Sequence, residues 1–115
     1  MSLTVWCTTH FDSVHRWKQA PEQVYFLRTP HHHRFHVRLE VLVGDEHRDV
    51  EFIMLSKWVD GVIETRLSQA SSETLEWSCE SWALFIKDRA IECGMSPMSV
   101  SVSEEGIHGA SWHRQ

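Results

Sequence analysis

The stretch that most constrains this chain runs from Pro30 to Val43. From Phe35 onward every second residue is apolar, through Val37, Leu39, Val41 and Val43. In an extended chain alternate side chains point to opposite faces, so these five belong to one buried face of a sheet. The same parity carries back to His31 and His33. His32, Arg34, His36, Arg38 and Glu40 fall on the other face. Two imidazoles therefore stand side by side where the apolar face begins. That is a ready way to present two nitrogen ligands to one metal ion.

The rest of the chain is ordered around that strand. Leu3 to Phe11 reads as a first strand, and the chain leaves it through Asp12 to Trp17. Lys18 to Glu22 reads as a turn, and Val24 to Leu27 is a short apolar run. Thr29 precedes Pro30, which disfavours helical backbone and leads into the second strand, about Arg34 to Val43. Gly44 to Asp49 is a polar turn. Phe52, Leu55, Val59, Val62, Ile63 and Arg66 recur at helical spacing and predict a helix over about Phe52 to Leu67. The serines of Ser68–Ser72 are candidate caps for a second helix carrying Leu75, Cys79, Trp82, Ile86, Ala90 and Cys93. Gly94 ends that helix and Pro97 prevents its continuation. Val100 and Val102 alternate with serines toward Glu104. Gly106 to Gly109 turns the chain, and Ala110 to His113 closes a last strand.

The expected order is ββααββ within one domain spanning 1–115. The fold class is α+β, with a four-stranded antiparallel sheet and two helices on one face. At 115 residues the chain supports one modest core. Two exposed sheet edges, with six tryptophans and five phenylalanines in the chain, lead us to expect sheets that join between subunits.

Composition narrows the function classes. The net charge of −5 and the scattered basic residues give no basis for a nucleic-acid surface. No apolar run has membrane-spanning length, and no signal-peptide pattern opens the chain. Cys7, Cys79 and Cys93 form no close pair, which points to a reducing compartment and a cytoplasmic location.

A metal that does chemistry needs three protein ligands and an open position. His31 and His33 supply two, and His15, just past the first strand, is a candidate third. Neutral imidazoles on Zn²⁺ leave it positively charged, able to acidify a bound hydroxyl. A polar strand start or a packed, hydrogen-bonded histidine cluster explains the same residues without metal. Glu104 ends an apolar strand, where a carboxylate can accept two N–H donors from an amino-heterocycle; a solvated acidic turn is the plainer account. Cys79 and Cys93 fall on an apolar stripe and read as packing residues.

The ordered set of motifs resembles the tunnelling-fold family of 6-pyruvoyl-tetrahydropterin synthase and 6-carboxy-tetrahydropterin synthase. The family's Phe-x-Ala-Ala-His-Arg-Leu stands here as Phe11–Trp17, with His15 at the histidine. Its His-Gly-His-Asn-Tyr-x-Val stands as His31–Val37. Its Val-x-Asp-Phe-x-x-Leu helix opening stands as Asp49–Leu55, and its Pro-Thr-x-Glu-Asn as Ala70–Thr74. Its late Val-x-Val-x-Glu-Thr stands as Val100–Glu105, and its final Tyr is close to Trp112. The resemblance covers nearly the whole chain. It implies a T-fold, Zn²⁺ held by His15, His31 and His33, a pterin ring anchored by Glu104, and trimers or stacked hexamers with pockets between subunits.

Two departures bear on activity. The family's catalytic cysteine lies four residues before the first histidine of its His-x-His pair, and that position here is Leu27. A leucine carries no proton. The family's Asp-His relay lies between its helices, and no Asp-His dipeptide occurs here. Only eighteen residues separate Phe52 from Ser71. Substitute proton carriers would be His10, His36, His108 or Glu73. His36 is on the wrong strand face, and His108 lies nearest Glu104 in sequence. The expected functions are a zinc-dependent lyase acting on a dihydroneopterin triphosphate-like or other pterin, a silent zinc-containing pterin- or purine-binding protein, or a structural protein without metal.

Overall fold

The computed structural model describes residues 3–44 and 49–115. Strand β1 (Leu3–His15) pairs antiparallel with β2 (His31–Val43), which pairs with β3 (Ser96–Glu104), which pairs with β4 (His108–His113). The sheet order is β1-β2-β3-β4. Helices α1 (Phe52–Gln69) and α3 (Cys79–Glu92) pack on one face, with a single turn, α2 (Ser71–Thr74), between them. The fold is thus α+β, with a T-fold-like topology. No helix among the described residues is long and apolar enough to cross a membrane.

The alternation in β2 is realised as expected. Phe35, Val37, Leu39, Val41 and Val43 are buried against Leu55, Val59 and Ile63 of α1 and Cys79, Trp82, Ala83 and Ile86 of α3. Val100 and Val102 of β3 complete this core from the neighbouring strand. One residue is inserted in β3, because Glu40 faces Ser99 whereas Val41 faces Pro97. Such a bulge shifts the pleat by one position, which lets both Pro97 and Val100 face the core, while Ser99 lies on the other face with its hydroxyl on Glu40.

Five sequence expectations change. Strand β2 begins at His31 rather than at about Arg34, because β1 pairs with it back to His15. Strand β1 continues past Phe11 to His15, and its register sets His15 opposite His31 and Ser13 opposite His33. The pairing with β2 holds the chain extended through residues whose polarity alone reads as a loop. The second helix begins at Cys79 rather than after Ser72. Its cap is Ser78, in a reciprocal capping box with Ser81. Leu75 and Trp77 stay outside it because their carbonyls bond elsewhere, to the Arg16 N–H and the His15 ring. Val24–Leu27 falls within a broken 3₁₀ segment, Glu22–Arg28. Strand β4 starts at His108, so the last turn is confined to Glu105–Ile107.

Other boundaries match. Thr29 is extended (φ −89°, ψ 138°), as the following proline requires. Gly94 takes φ +86° just beyond the α3 cap. Gly109 is needed for a different reason. A Cβ there would lie 2.1 Å from the Val102 carbonyl oxygen and 2.5 Å from the Ser103 Cα. Within the expected Gly44–Asp49 turn, residues 45–48 lie outside the described residues. Cys7 and Cys79 are buried, as packing residues are, while Cys93 is exposed at the C-terminal cap of α3.

Candidate metal centre

The two long strands carry their histidines to one end of the sheet. The outgoing strand ends on His15 and the returning one starts on His31, so the β1–β2 register sets them face to face. His33 is the next inward residue of β2. The three rings pack nearly perpendicular to one another, with centroids 4.6 Å (His15–His31), 5.3 Å (His15–His33) and 5.0 Å (His31–His33) apart. One ring nitrogen of each lies within 4.8 Å of the other two.

Each imidazole is fixed from behind through Nδ1. His15 Nδ1 donates to the Trp77 carbonyl at 2.8 Å. His31 Nδ1 donates to the Thr29 carbonyl at 2.8 Å. His33 Nδ1 donates to Glu105 Oε1 at 3.3 Å. Bonding of this kind sets the tautomer and leaves the Nε2 lone pair for a metal. His31 Nε2 is buried and has no hydrogen-bond partner among the described residues. An orphaned buried nitrogen costs about 1–3 kcal/mol unless something binds it. Donor chemistry, orientation and the orphaned atom all fit a zinc-type ion.

Glu104 closes the cluster from β3. Its Oε2 lies 3.0 Å from His15 Nε2 and 3.7 Å from His33 Nε2. Its Oε1 lies 3.3 Å from His108 Nε2. The sheet register produces this directly, because Glu104 pairs with Phe35 on one side and His108 on the other. Phe35 is fully buried beneath the site, edge-on to His15 at 5.2 Å and to His33 at 6.1 Å.

A cavity of about 630 Å³ opens over the cluster. Its walls include His15, His31, Leu27, Cys79, Glu104 and His108. Leu27 thus lines the cavity as an apolar wall. The Cys79 thiol is pushed up to about 12 by burial first and by the carboxylates of Glu104 and Glu80 after it. It remains a protonated thiol at neutral pH.

Of the sequence candidates, His15, His31, His33, Glu104 and His108 are brought together. His10 and His36 pair with each other on the opposite sheet face, ring centroids 5.9 Å apart, and Glu73 is bound to Arg66 at 2.7 Å. None of these three lines the cavity. Glu105 is the functional residue that sequence reasoning passed over. It takes φ +58°, which turns it back toward β2, where its Oε1 accepts from the Arg34 N–H at 2.8 Å as well as from His33. The signal available in the sequence was the Glu105-Gly106 pair after a strand, a turn signature. The carbonyls of Trp77 and Thr29 left no sequence signal, since any residue carries one.

Burial lowers the affinity of His15 for a proton, and the neighbouring His31 and His33 push the same way. The Trp77 hydrogen bond and Glu104 oppose this without reversing it. The unfolded chain therefore takes up a proton near the ordinary value of about 6.5 while the folded chain still refuses it. Stability of the metal-free protein is expected to fall as pH drops below about 6.5, by at most roughly 1.4 kcal/mol per pH unit for this one group. Urea midpoints at pH 7.5, 6.5 and 5.5 check this. The loss should be smaller in His15→Asn, and a wild-type midpoint independent of pH would contradict it.

Sheet, helices and histidine cluster together define an α+β protein of T-fold-like arrangement with a site compatible with metal coordination. No protein-family model matches the chain, and no curated protein matches it. Among solved structures, an uncharacterized protein, WS1659 from Wolinella succinogenes, is similar with a TM-score of 0.58. The match covers 99% of this chain and 100% of that one at 15% sequence identity, which is a likeness of fold.

Proposed function

We propose that this chain is a zinc-dependent lyase, divergent from the pterin synthases it resembles, whose cavity takes a planar pterin-like heterocycle. The observation that carries this reading is the set of three Nδ1-anchored imidazoles, one with an orphaned buried Nε2, of which His15 and His31 line an open cavity. His15, His31 and His33 would hold the zinc. The ion, when bound, polarises a substrate oxygen and makes the adjoining positions more acidic.

The chain's own contribution is proton transfer and shape. Leu27 gives the cavity an apolar wall where the resembled family places its thiol, so the proton carrier has to be another group. His108 is exposed at the cavity mouth with its Nε2 against Glu104, which orients the imidazole. It can take a proton from the substrate side and return it, exchanging with solvent. The two outer strands, β1 and β4, are the edges through which further copies would join into a trimer or hexamer. Trp17, Tyr25 and Phe26 are exposed on the connection beside the cavity and would be covered by such contacts.

Leu27 also favours a second reading, in which zinc and heterocycle are bound without turnover. Incubation of the zinc-loaded protein with dihydroneopterin triphosphate, followed by mass spectrometry of the product, separates the two. The lyase reading expects loss of the side chain or of triphosphate, abolished in His108→Ala with zinc content unchanged. Unaltered turnover in that variant removes His108 from the mechanism. Tight heterocycle binding without product establishes the silent reading, and absence of both zinc and binding overturns both.

A further inference from the structure

We propose that the groove between α1 and α3 is a second binding site, for a small phosphomonoester with a flat ring, of the nucleoside monophosphate class. It shares no lining residue with the histidine cavity and does not depend on the zinc reading.

Shape comes first. Trp58, Gly61, Thr65 and Arg66 form a stripe along α1, beside the buried stripe of Leu55, Val59 and Ile63. Phe85 and Arg89 of α3 complete the walls of a cavity of about 540 Å³. Pockets for small molecules run from about 300 to 1,000 Å³. Gly61 stands in the interior of α1, where glycine weakens a helix. A Cβ there would meet nothing within 4 Å, and the backbone is not in the left-handed region. Neither packing nor conformation asks for glycine at this position. What the missing side chain does is keep the groove open.

Charge comes second. Among the described residues the lining carries two arginines and no acidic group, in a chain of net charge −5. The Arg66 guanidinium lies over the rings of Trp77 and Phe85, 4.9 and 5.4 Å from their centroids. A stacked guanidinium is held ready for a planar or bidentate anion contact. Its Nη2 meets Glu73 at 2.7 Å, while its Nε is buried with no hydrogen-bond partner among the described residues. Glu73 thus fills one arm of the fork, and a phosphate has oxygens for both. Arg89 is paired with Glu92. Both glutamate side chains are more than half exposed, and surface pairs of this kind contribute little. A phosphomonoester, with close to two negative charges at neutral pH, can replace both. Balancing the C-terminal dipoles of α1 and α3 accounts for each arginine singly. It does not account for both lining one groove beside a glycine with no other use.

The ring follows from the remaining wall. Trp58 and Phe85 offer aromatic surface, and Thr65 a hydroxyl, between the two cations. A bare phosphate uses only the arginines, and an uncharged nucleoside uses only the rings.

The test is titration calorimetry on the whole chain with AMP, GMP, adenosine and inorganic phosphate. The expected result is saturable binding of a nucleotide, with adenosine and phosphate each at least about 10-fold weaker. Affinity should fall about 10-fold in Arg89→Gln and by at least as much in Gly61→Leu, whose side chain fills the groove. Leucine is a good helix former on an open position, so the melting temperature of Gly61→Leu should equal or exceed that of wild type. No binding of either nucleotide at millimolar concentration overturns the proposal. So does wild-type affinity in Gly61→Leu, or phosphate binding as tightly as the nucleotides. Should Gly61→Leu fail to fold, Arg89→Glu decides in its place, and wild-type affinity in that variant overturns the proposal equally.

Discussion

Replacing His31 by alanine is expected to give a folded protein that has lost its zinc. His31 is the first residue of β2, and its ring is the one whose Nε2 is buried and has no hydrogen-bond partner among the described residues. Removing it deletes a ligand while relieving an unsatisfied nitrogen. The metal-free variant should therefore match wild type in stability within about 1 kcal/mol. Metal binding should suffer far more. Structural zinc sites of four ligands bind with about 10–16 kcal/mol, so each ligand accounts for roughly 3 kcal/mol, and affinity should fall on the order of 100-fold or more. Because zinc binds the folded chain, wild-type melting temperature should rise with added zinc and that of the variant should hardly move. Melting curves with and without zinc, together with metal analysis of dialysed protein, provide the check. Wild-type zinc stoichiometry in the variant would show that the three imidazoles are a packed cluster and not a ligand set.

Phe35→Ala is expected to be the most damaging change outside the ligand set, and to act on fold and site together. Phe35 is completely buried, stacks on Phe11 with ring centroids 5.1 Å apart, and supports His15 and His33 edge-on. A Phe-to-Ala change in a core costs about 3–5 kcal/mol through lost burial and the residual cavity. Domains of this size have about 5–15 kcal/mol in all, so the variant would be marginal. The void lies directly beneath two imidazoles, so zinc affinity should fall as well, although no ligand is removed. Phe35→Leu fills most of the space and should recover most of both. Urea unfolding with a parallel zinc titration separates the two effects. A stable Phe35→Ala protein with full zinc affinity would mean that the histidines are held by their Nδ1 bonds alone.

These two residues also show what was legible before the fold was known. Phe35 and His31 share a face by strand parity, and that parity follows from local geometry alone. The same holds for the apolar stripes of α1 and α3, for the stop at Gly94 and for the extended backbone before Pro30. Each depends on near neighbours in the chain, so periodicity and a few special residues are enough to specify it.

What periodicity could not reach were features set by partners far away in sequence. Asp12, Ser13 and Val14 look like loop and are strand, because β2 supplies a hydrogen-bonding edge along their whole length. Leu75 and Trp77 look like part of a helix start and are not, because the Leu75 carbonyl is taken by the Arg16 N–H just past β1 and the Trp77 carbonyl by the ring of His15. Glu104 was visible as a carboxylate at a strand end, whereas its contacts with His15 and His108 come from the register of β3 with its neighbours.

By itself, then, the sequence determined which residues face inward, the ββααββ order and the three histidines as a possible set. Only the tertiary structure decided that β1 delivers His15 to His31, that Glu104 turns toward their Nε2 atoms, and that Glu105 and two backbone carbonyls hold the rings. The reason is range. Side-chain parity is a property of one strand, whereas a coordination geometry is fixed by the register between strands and by carbonyls that every residue type carries alike.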